Sequence, residues 1–415
     1  MIMNLNLIHL TILAIVLAGC GQSAKKKTPK AVFIIVDGIP ADVIETVNPH
    51  ALKEIQDVGG YSRAYVGGIK ESYNQTPTIS APGYMSLVTG TWGNKHNVWD
   101  NDVAAPNYNY WNIFRIVEDV KPSLQTAIFS TWRDNRTKLI GEGLEQAGSF
   151  TLDYKIDGLE LDTVNYPHDD ESNYILKIDE TVSEEAAKYI TTDGPDVSWV
   201  YLQYTDDIGH KFGDSPKFHD AIKKADANIG KIWAAIKNRQ QQYSEDWLIV
   251  ITTDHGRDAA TGKNHGGQSD RERTTWIVSN STALNERFKQ SPAVVDILPS
   301  ILNHLGIPAP EKIERELDGV PFIGQIDLAD LRAEKKGDSI SLQWKNFNRE
   351  EDAKAAVFLT RTNYFNSGST DIYQKAGEVL LKKERFTFAI DNDSAFVKVI
   401  VKGPHHSANT WYTKK

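Results

Sequence analysis

Residues 31–36 (AVFIIV) are six apolar positions in a row, mostly β-branched, the pattern of a strand buried on both faces. Similar runs occur at 126–130, 197–203, 247–252 and 275–279. Between them lie helical patterns at 180–191, 216–242 and 294–305. In the second, Phe218, Ile222, Ala225, Ile229, Ile232 and Ile236 recur at helical spacing. Strands alternating with helices predict an α/β fold, a mostly parallel sheet with helices on both faces. Ligands of such sheets sit beyond the carboxyl ends of the strands, so residues that carry chemistry are expected directly after the apolar runs.

The pattern changes after about Ile323. Residues 325–336 are largely polar, and short alternating segments follow at 339–344 (SISLQW), 355–360, 378–382, 386–390 and 395–401. Turn-rich links at 366–369 and 391–394 separate them. This predicts a small C-terminal antiparallel β-sandwich similar to fibronectin type III modules. The expected division is a leader at 1–19, a linker at 20–30, an α/β domain at 31–323 and a β-sandwich at 324–415.

Residues 1–19 carry no charged side chain and end in small residues, as a secretory signal does. Leu17-Ala18-Gly19-Cys20 resembles the bacterial lipoprotein box, with the single cysteine of the chain at the lipidated position. Such a leader would export the protein to the periplasm or cell surface, and lipid on Cys20 would tether it to a membrane. The alternative is an uncleaved anchor helix, for which the stretch is short. The polar segment after Cys20, with Lys25, Lys26 and Lys27, reads as a spacer.

Composition narrows the function classes. With 40% hydrophobic and 24% charged residues the chain is globular rather than disordered. A net charge of -9 argues against binding duplex nucleic acid, which requires cationic surface. One cysteine excludes a disulfide scaffold and a cysteine-rich zinc module.

The strand-end expectation has content. AVFIIV is followed by Asp37-Gly38, the run at 197 by Asp206, Asp207 and His210, and the run at 247 by Asp254-His255-Gly256. His265-Gly266-Gly267 precedes the run at 275. Any one of these aspartates alone is more often a helix cap. Together they form a mixed oxygen and nitrogen donor set suited to zinc, with too many donors for one tetrahedral ion. Asp206 and His210 are one helical turn apart. Ser80, just before Ala81-Pro82-Gly83, falls at a predicted helix N-terminus. There it serves either as an N-cap or as a nucleophile placed where a phosphate is favoured.

These motifs, with Thr78-Ile79-Ser80-Ala81-Pro82-Gly83, Thr89-Gly90, Asn101 and Leu317-Asp318-Gly319-Val320-Pro321, resemble the alkaline phosphatase superfamily, specifically its type I phosphodiesterase/nucleotide pyrophosphatase branch. The resemblance spans residues 31–322. It implies a hydrolase of small phosphoesters using two divalent cations, zinc by ligand type. Asp206, His210 and His265 would hold one. Asp37, Asp254, His255 and the Ser80 oxygen would hold the other. Ser80 would attack phosphorus and form a phosphoseryl intermediate, and Asn101 would donate an amide hydrogen bond to a phosphoryl oxygen.

The chain departs from the branch in three ways. It has serine where threonine is commoner. It has Tyr84 where related sulfatases need arginine. Only nine residues separate His255 from His265, where many relatives carry a long insertion, so His304, His405 or His406 stands as an alternative last ligand. Arg133, Arg136 and Lys138 are candidates to clamp a monoester dianion, or members of a solvated loop. Tyr84 and Trp132 are candidates to pack a leaving group, or rim residues. The rival functions are a phosphomonoesterase, a sulfatase, a phosphomutase and a non-catalytic binding module.

Overall fold

The computed structural model of the chain describes residues 27–391 and 394–414; the leader 1–19 and Cys20 lie outside the described residues. Seven strands form one sheet: β1 (Thr28–Val36), β2 (Gly60–Tyr65), β3 (Thr126–Ser130), β4 (Tyr154–Ile156), β5 (Val197–Leu202), β6 (Glu245–Thr252) and β7 (Thr274–Ser279). Their order is β2-β7-β6-β1-β5-β3-β4. Strands β6, β1, β5, β3 and β4 run parallel, whereas β7 is antiparallel to both β6 and β2. The mostly parallel α/β sheet is as the apolar runs imply.

Strand β1 is central because both its faces are apolar. Ala31, Phe33 and Ile35 enter one core, and Val32, Ile34 and Val36 the other. Phe33 stacks on Trp199 of the adjacent β5 at 5.8 Å. Helices Ser80–Thr89, Ile113–Val120 and Ile297–Leu305 close the first core, and helices Asn173–Thr192 and Pro216–Gln242 the second. The long helix starts where the sequence specifies a start: Ser215 accepts from the backbone N–H of Phe218, and Pro216 fills the first turn. Its apolar stripe is buried, at ~1.5–3 kcal/mol for each large side chain removed from water.

Strand β1 begins at Thr28, inside the segment expected to be linker. Thr28 pairs with Glu245, and Lys30 bonds Asp196 at 2.8 Å, so residues 28–30 are fixed in the sheet.

Beyond the sheet, β8 (Leu328–Lys336), β9 (Ser339–Asn346), β10 (Lys354–Thr360), β11 (Gln374–Leu380), β12 (Arg385–Ala389), β13 (Phe396–Lys402) and β14 (Ser407–Thr413) form two antiparallel sheets. Their orders are β11-β10-β13-β14 and β12-β9-β8. Leu342 and Trp344 from one and Val357 and Val399 from the other share a core. The largely polar segment 325–336 is mostly strand β8. The strand expected at 378–382 lies earlier, because residues 381–383 turn into a 3-10 helix.

Polar contacts join the sandwich to the α/β part. Lys398, fully buried, pairs with Glu316 at 2.7 Å and with Asp371 at 2.9 Å. Lys95, also fully buried, pairs with Asp318 at 2.7 Å and donates to Asn409 at 2.9 Å. Among the described residues no helix is long and apolar enough to cross a membrane.

Candidate metal centre and nucleophile

The three middle strands β6, β1 and β5 are neighbours, so their carboxyl ends lie about 5 Å apart. Each delivers part of the donor set: Asp37 follows β1, Asp206 and His210 ride on the helix Tyr204–Phe212 after β5, and Asp254 and His255 follow β6. His265 reaches the same edge by a different route. It lies on the loop leading into β7, and an antiparallel strand starts where its parallel neighbours end.

The donors converge. His255 Nε2 lies 3.4 Å from Asp37 Oδ1 and 3.3 Å from Asp254 Oδ2. His210 Nε2 lies 3.3 Å from Asp206 Oδ2 and 3.1 Å from His265 Nε2. The rings of His255 and His265 stack at 3.7 Å. One group with mutually close donor atoms is Asp37, Asp254 and His255; another is Asp206, His255 and His265, with His210 beside it. The first group is deeply buried, and the second opens outward, with the His210 side chain 45% exposed. The alternative histidines are elsewhere: His304 bonds the backbone of Lys30 and Asp246, and His405 and His406 bond Asp327.

The donor set suits a cation. Asp37 Oδ1 and Asp254 Oδ2 are buried with no hydrogen-bond partner among the described residues, and both face His255 Nε2. Buried polar atoms are normally satisfied, so this pair is an open demand for positive charge. In the protein alone, burial and then the charges of Asp254 and Asp206 hold the Asp37 carboxyl well above the usual range. Burial and Asp206 push Asp254 up to about 7. Burial also opposes ionisation of Asp206, but the His210 hydrogen bond and the Arg257 charge outweigh it and hold that carboxyl well below the usual range. Burial, then the neighbouring His265, keeps His255 neutral; burial does the same to His265. His255 Nδ1 lies 2.9 Å from the Gly256 carbonyl and His265 Nδ1 3.0 Å from that of Thr78. Each Nδ1–H therefore donates to backbone, and each Nε2 lone pair points into the site.

Ser80 opens the helix Ser80–Thr89. Its hydroxyl does not cap that helix; Ser80 Oγ lies 3.3 Å from His255 Nε2, beside the buried group. Asn101 Oδ1 accepts the Ala81 N–H at 2.9 Å, which fixes the side chain next to Ser80. Its Nδ2 has no partner among the described residues and is left to donate.

Several expected substrate contacts are placed differently. Tyr84 is fully buried and donates to Asp37, one helical turn beyond Ser80, so it supports a candidate ligand instead of packing a leaving group. Arg136 forks onto Asp157 and pairs with Glu142 at 2.7 Å, so its charge is spent inside the fold. Lys138 pairs with Asp134 at 2.8 Å. Arg133 is exposed and has no ion pair among the described residues. Trp132 is half-buried, its ring edge-on to Tyr84 at 6.3 Å.

Three contributors escape a sequence reading. Tyr201, inside β5, donates to Asp37 Oδ2 at 2.7 Å. Arg257 donates to Asp206. Asp179, on a helix of the second core, accepts the N–H groups of Gln203 and Tyr204 at 3.1 and 2.9 Å and so caps the helix that carries Asp206 and His210. Only Arg257 left a signal, its place directly after Asp254-His255-Gly256.

Comparison with known proteins bears on the family and the fold. One curated relative, GPI ethanolamine phosphate transferase 3 of Eremothecium gossypii, is 34% identical over 123 residues, covering 25% of this chain and 11% of the relative. Another, ectonucleotide pyrophosphatase/phosphodiesterase C27A7.1 of Caenorhabditis elegans, is 23% identical over 243 residues, covering 58% of this chain and 27% of the relative. The chain thus spans only a minor part of either. Among solved structures, the phosphonate monoester hydrolase of Agrobacterium radiobacter has the same fold, with a TM-score of 0.51 at 13% identity over 93% of this chain and 89% of that one. Residues 31–350 match the family of type I phosphodiesterases and nucleotide pyrophosphatases, and the chain belongs to that family.

Proposed function

We propose that this protein hydrolyses small phosphoric diesters, with Ser80 as nucleophile, through a phosphoseryl intermediate, and with two divalent cations held by the converged donors. The observation that carries the reading is the position of Ser80 Oγ, 3.3 Å from the same His255 Nε2 that faces the two orphaned carboxylate oxygens of Asp37 and Asp254. Asp37, Asp254, His255 and Ser80 would hold one ion, and Asp206, His210 and His265 the other. Mixed carboxylate and imidazole donors favour zinc. When bound, such ions lower the pKa of a serine hydroxyl and offset the charge of phosphoryl oxygens.

The chain's own groups supply the rest. Ser80 Oγ attacks phosphorus in line with the leaving oxygen, a P–O bond forms, and the alcohol departs. Water then attacks the same phosphorus and releases Ser80. The Asn101 amide, held by the Ala81 N–H, would donate to a phosphoryl oxygen throughout. The first-turn N–H groups of the helix Ser80–Thr89 add a positive field at the serine.

A diester is favoured over a monoester because Arg136 and Lys138 are already paired with acidic side chains. A monoester dianion needs such cations more than a diester monoanion does. The test is hydrolysis of bis-p-nitrophenyl phosphate, p-nitrophenyl phosphate and p-nitrophenyl sulfate by purified protein. The diester should be cleaved fastest, with activity lost in Ser80→Ala and on chelation, and restored by zinc. Activity that survives both treatments would sink the mechanism; the reverse substrate order would sink the diester preference alone.

Export and lipid attachment at Cys20 belong to the same proposal and rest on the sequence. Radiolabelled palmitate should enter the wild-type protein and not Cys20→Ala; equal labelling would refute the anchor.

A further inference from the structure

Arg257 is fully buried, and its guanidinium is bonded to each of the other segments that bear a carboxylate or imidazole donor. Nε donates to the Gly38 carbonyl at 2.8 Å, just after Asp37. Nη1 donates to the Lys263 carbonyl at 3.0 Å, two residues before His265. Nη2 donates to the Asp206 carbonyl at 2.9 Å and to Asp206 Oδ1. Arg257 itself follows Asp254-His255-Gly256. It therefore ties together the loop after β1, the helix after β5 and the loop into β7.

Its path explains two motif glycines. A Cβ on Gly38 would lie 2.6 Å from Arg257 Nη2, and one on Gly209 would overlap the guanidinium carbon. Gly38 also has φ of +66°, which a side chain resists. The glycines of Asp37-Gly38 and of Gly209-His210 leave the channel through which the arginine passes.

Asp206 is consequently shared. Oδ1 is taken by Arg257, and Oδ2 is turned toward His210, 3.3 Å away. The orphaned oxygens of Asp37 and Asp254 have no such partner.

We infer that Arg257 is a positioning residue mainly for one side of the site: by holding Asp206 Oδ1, it aims Oδ2 at His210 and so shapes the outer cation position more than the inner one, where it holds only the Gly38 carbonyl beside Asp37. This rests on the two-cation reading above. An arginine is suited to it, since its planar fork fixes direction where a lysine supplies only charge.

The test is zinc titration by calorimetry of chelator-treated protein, with melting curves and kcat alongside. Wild type should bind two ions. Arg257→Met and Arg257→Lys should weaken the second ion at least about tenfold more than the first. Their kcat should fall at limiting zinc and recover in part as zinc is raised. Gly209→Ala, which crowds the guanidinium, should reproduce this pattern. Equal weakening of both ions, unchanged binding of both, or failure of both Arg257 variants to fold in zinc would overturn the inference. Wild type binding fewer than two ions would overturn the two-cation reading instead.

Discussion

Tyr201 donates its phenolic hydrogen to Asp37 Oδ2 at 2.7 Å, and Tyr84 donates to that same oxygen. The carboxylate is thereby divided: Oδ2 is saturated by two buried phenols, and Oδ1 is left unpartnered toward His255. Burial, then the charge of Asp37, keeps both phenols protonated and so able to donate.

Removing either donor should loosen the aim of Asp37. Tyr201→Phe and Tyr84→Phe are expected to lower zinc affinity or kcat by about 10- to 100-fold, the usual range for supports behind a ligand. The double variant should lose less than the product of the single losses, because both act on one oxygen. Zinc titration and kcat for the diester measure this; wild-type values in both single variants would contradict it.

Asp179 should leave a pH signature on stability. Burial raises its carboxyl to about 7 in the folded protein. An acid raised on folding is held protonated longer in the native state, so its contribution is complete below about pH 4 and is lost as pH rises through about 7. The stability difference between wild type and Asp179→Ala should therefore shrink from pH 4 to pH 7. Urea denaturation of chelated protein across that range is the measurement, and a difference that widens would refute the assignment.

Arg133 is the remaining exposed cation of its loop. With no ion pair among the described residues, it should serve a dianion. Arg133→Ala is expected to raise KM for p-nitrophenyl phosphate several-fold and to leave bis-p-nitrophenyl phosphate within about twofold. Equal effects on both esters would show that the residue does not read charge.

The seam between the sandwich and the α/β part should depend on Lys398. Lys398→Met leaves the buried carboxylates of Glu316 and Asp371 facing each other without their cation. Losing one member of a buried ionic cluster costs about 3–5 kcal/mol. The melting temperature should drop by several degrees, while kcat at a permissive temperature stays near wild type, since neither carboxylate touches the metal donors.

The strands that gave no sequence signal all lie at sheet edges, although two other edges, β11 and β12, are marked by the alternating segments at 378–382 and 386–390. Strands β1, β3, β5, β6 and β7 were marked by apolar runs because both their faces are covered. Strands β2, β4, β8 and β14 gave no usable signal, and all four are edges. An edge strand is partly solvated and carries polar residues that discourage further pairing, as Arg332, Glu334 and Lys336 do in β8. The site divides in a similar way. Donors that follow a strong run, such as Asp37 and Asp254, were visible as chemistry out of place. Tyr201 was hidden inside such a run, where an aromatic reads as core, and Asp179 acts on a helix 25 residues away from it. Tyr84 and Arg136 were expected at the substrate because residue type does not tell which side chains are already engaged within the fold.

The reversed direction of β7 has a further outcome. Because β7 starts at the edge where β6 ends, the short connection from His255 to His265 belongs to no strand, and both its ends carry side chains of the centre. Lengthening it would disturb no strand pairing, so new recognition surface could be added there, widening or narrowing the range of esters admitted, with the chemistry beneath left intact.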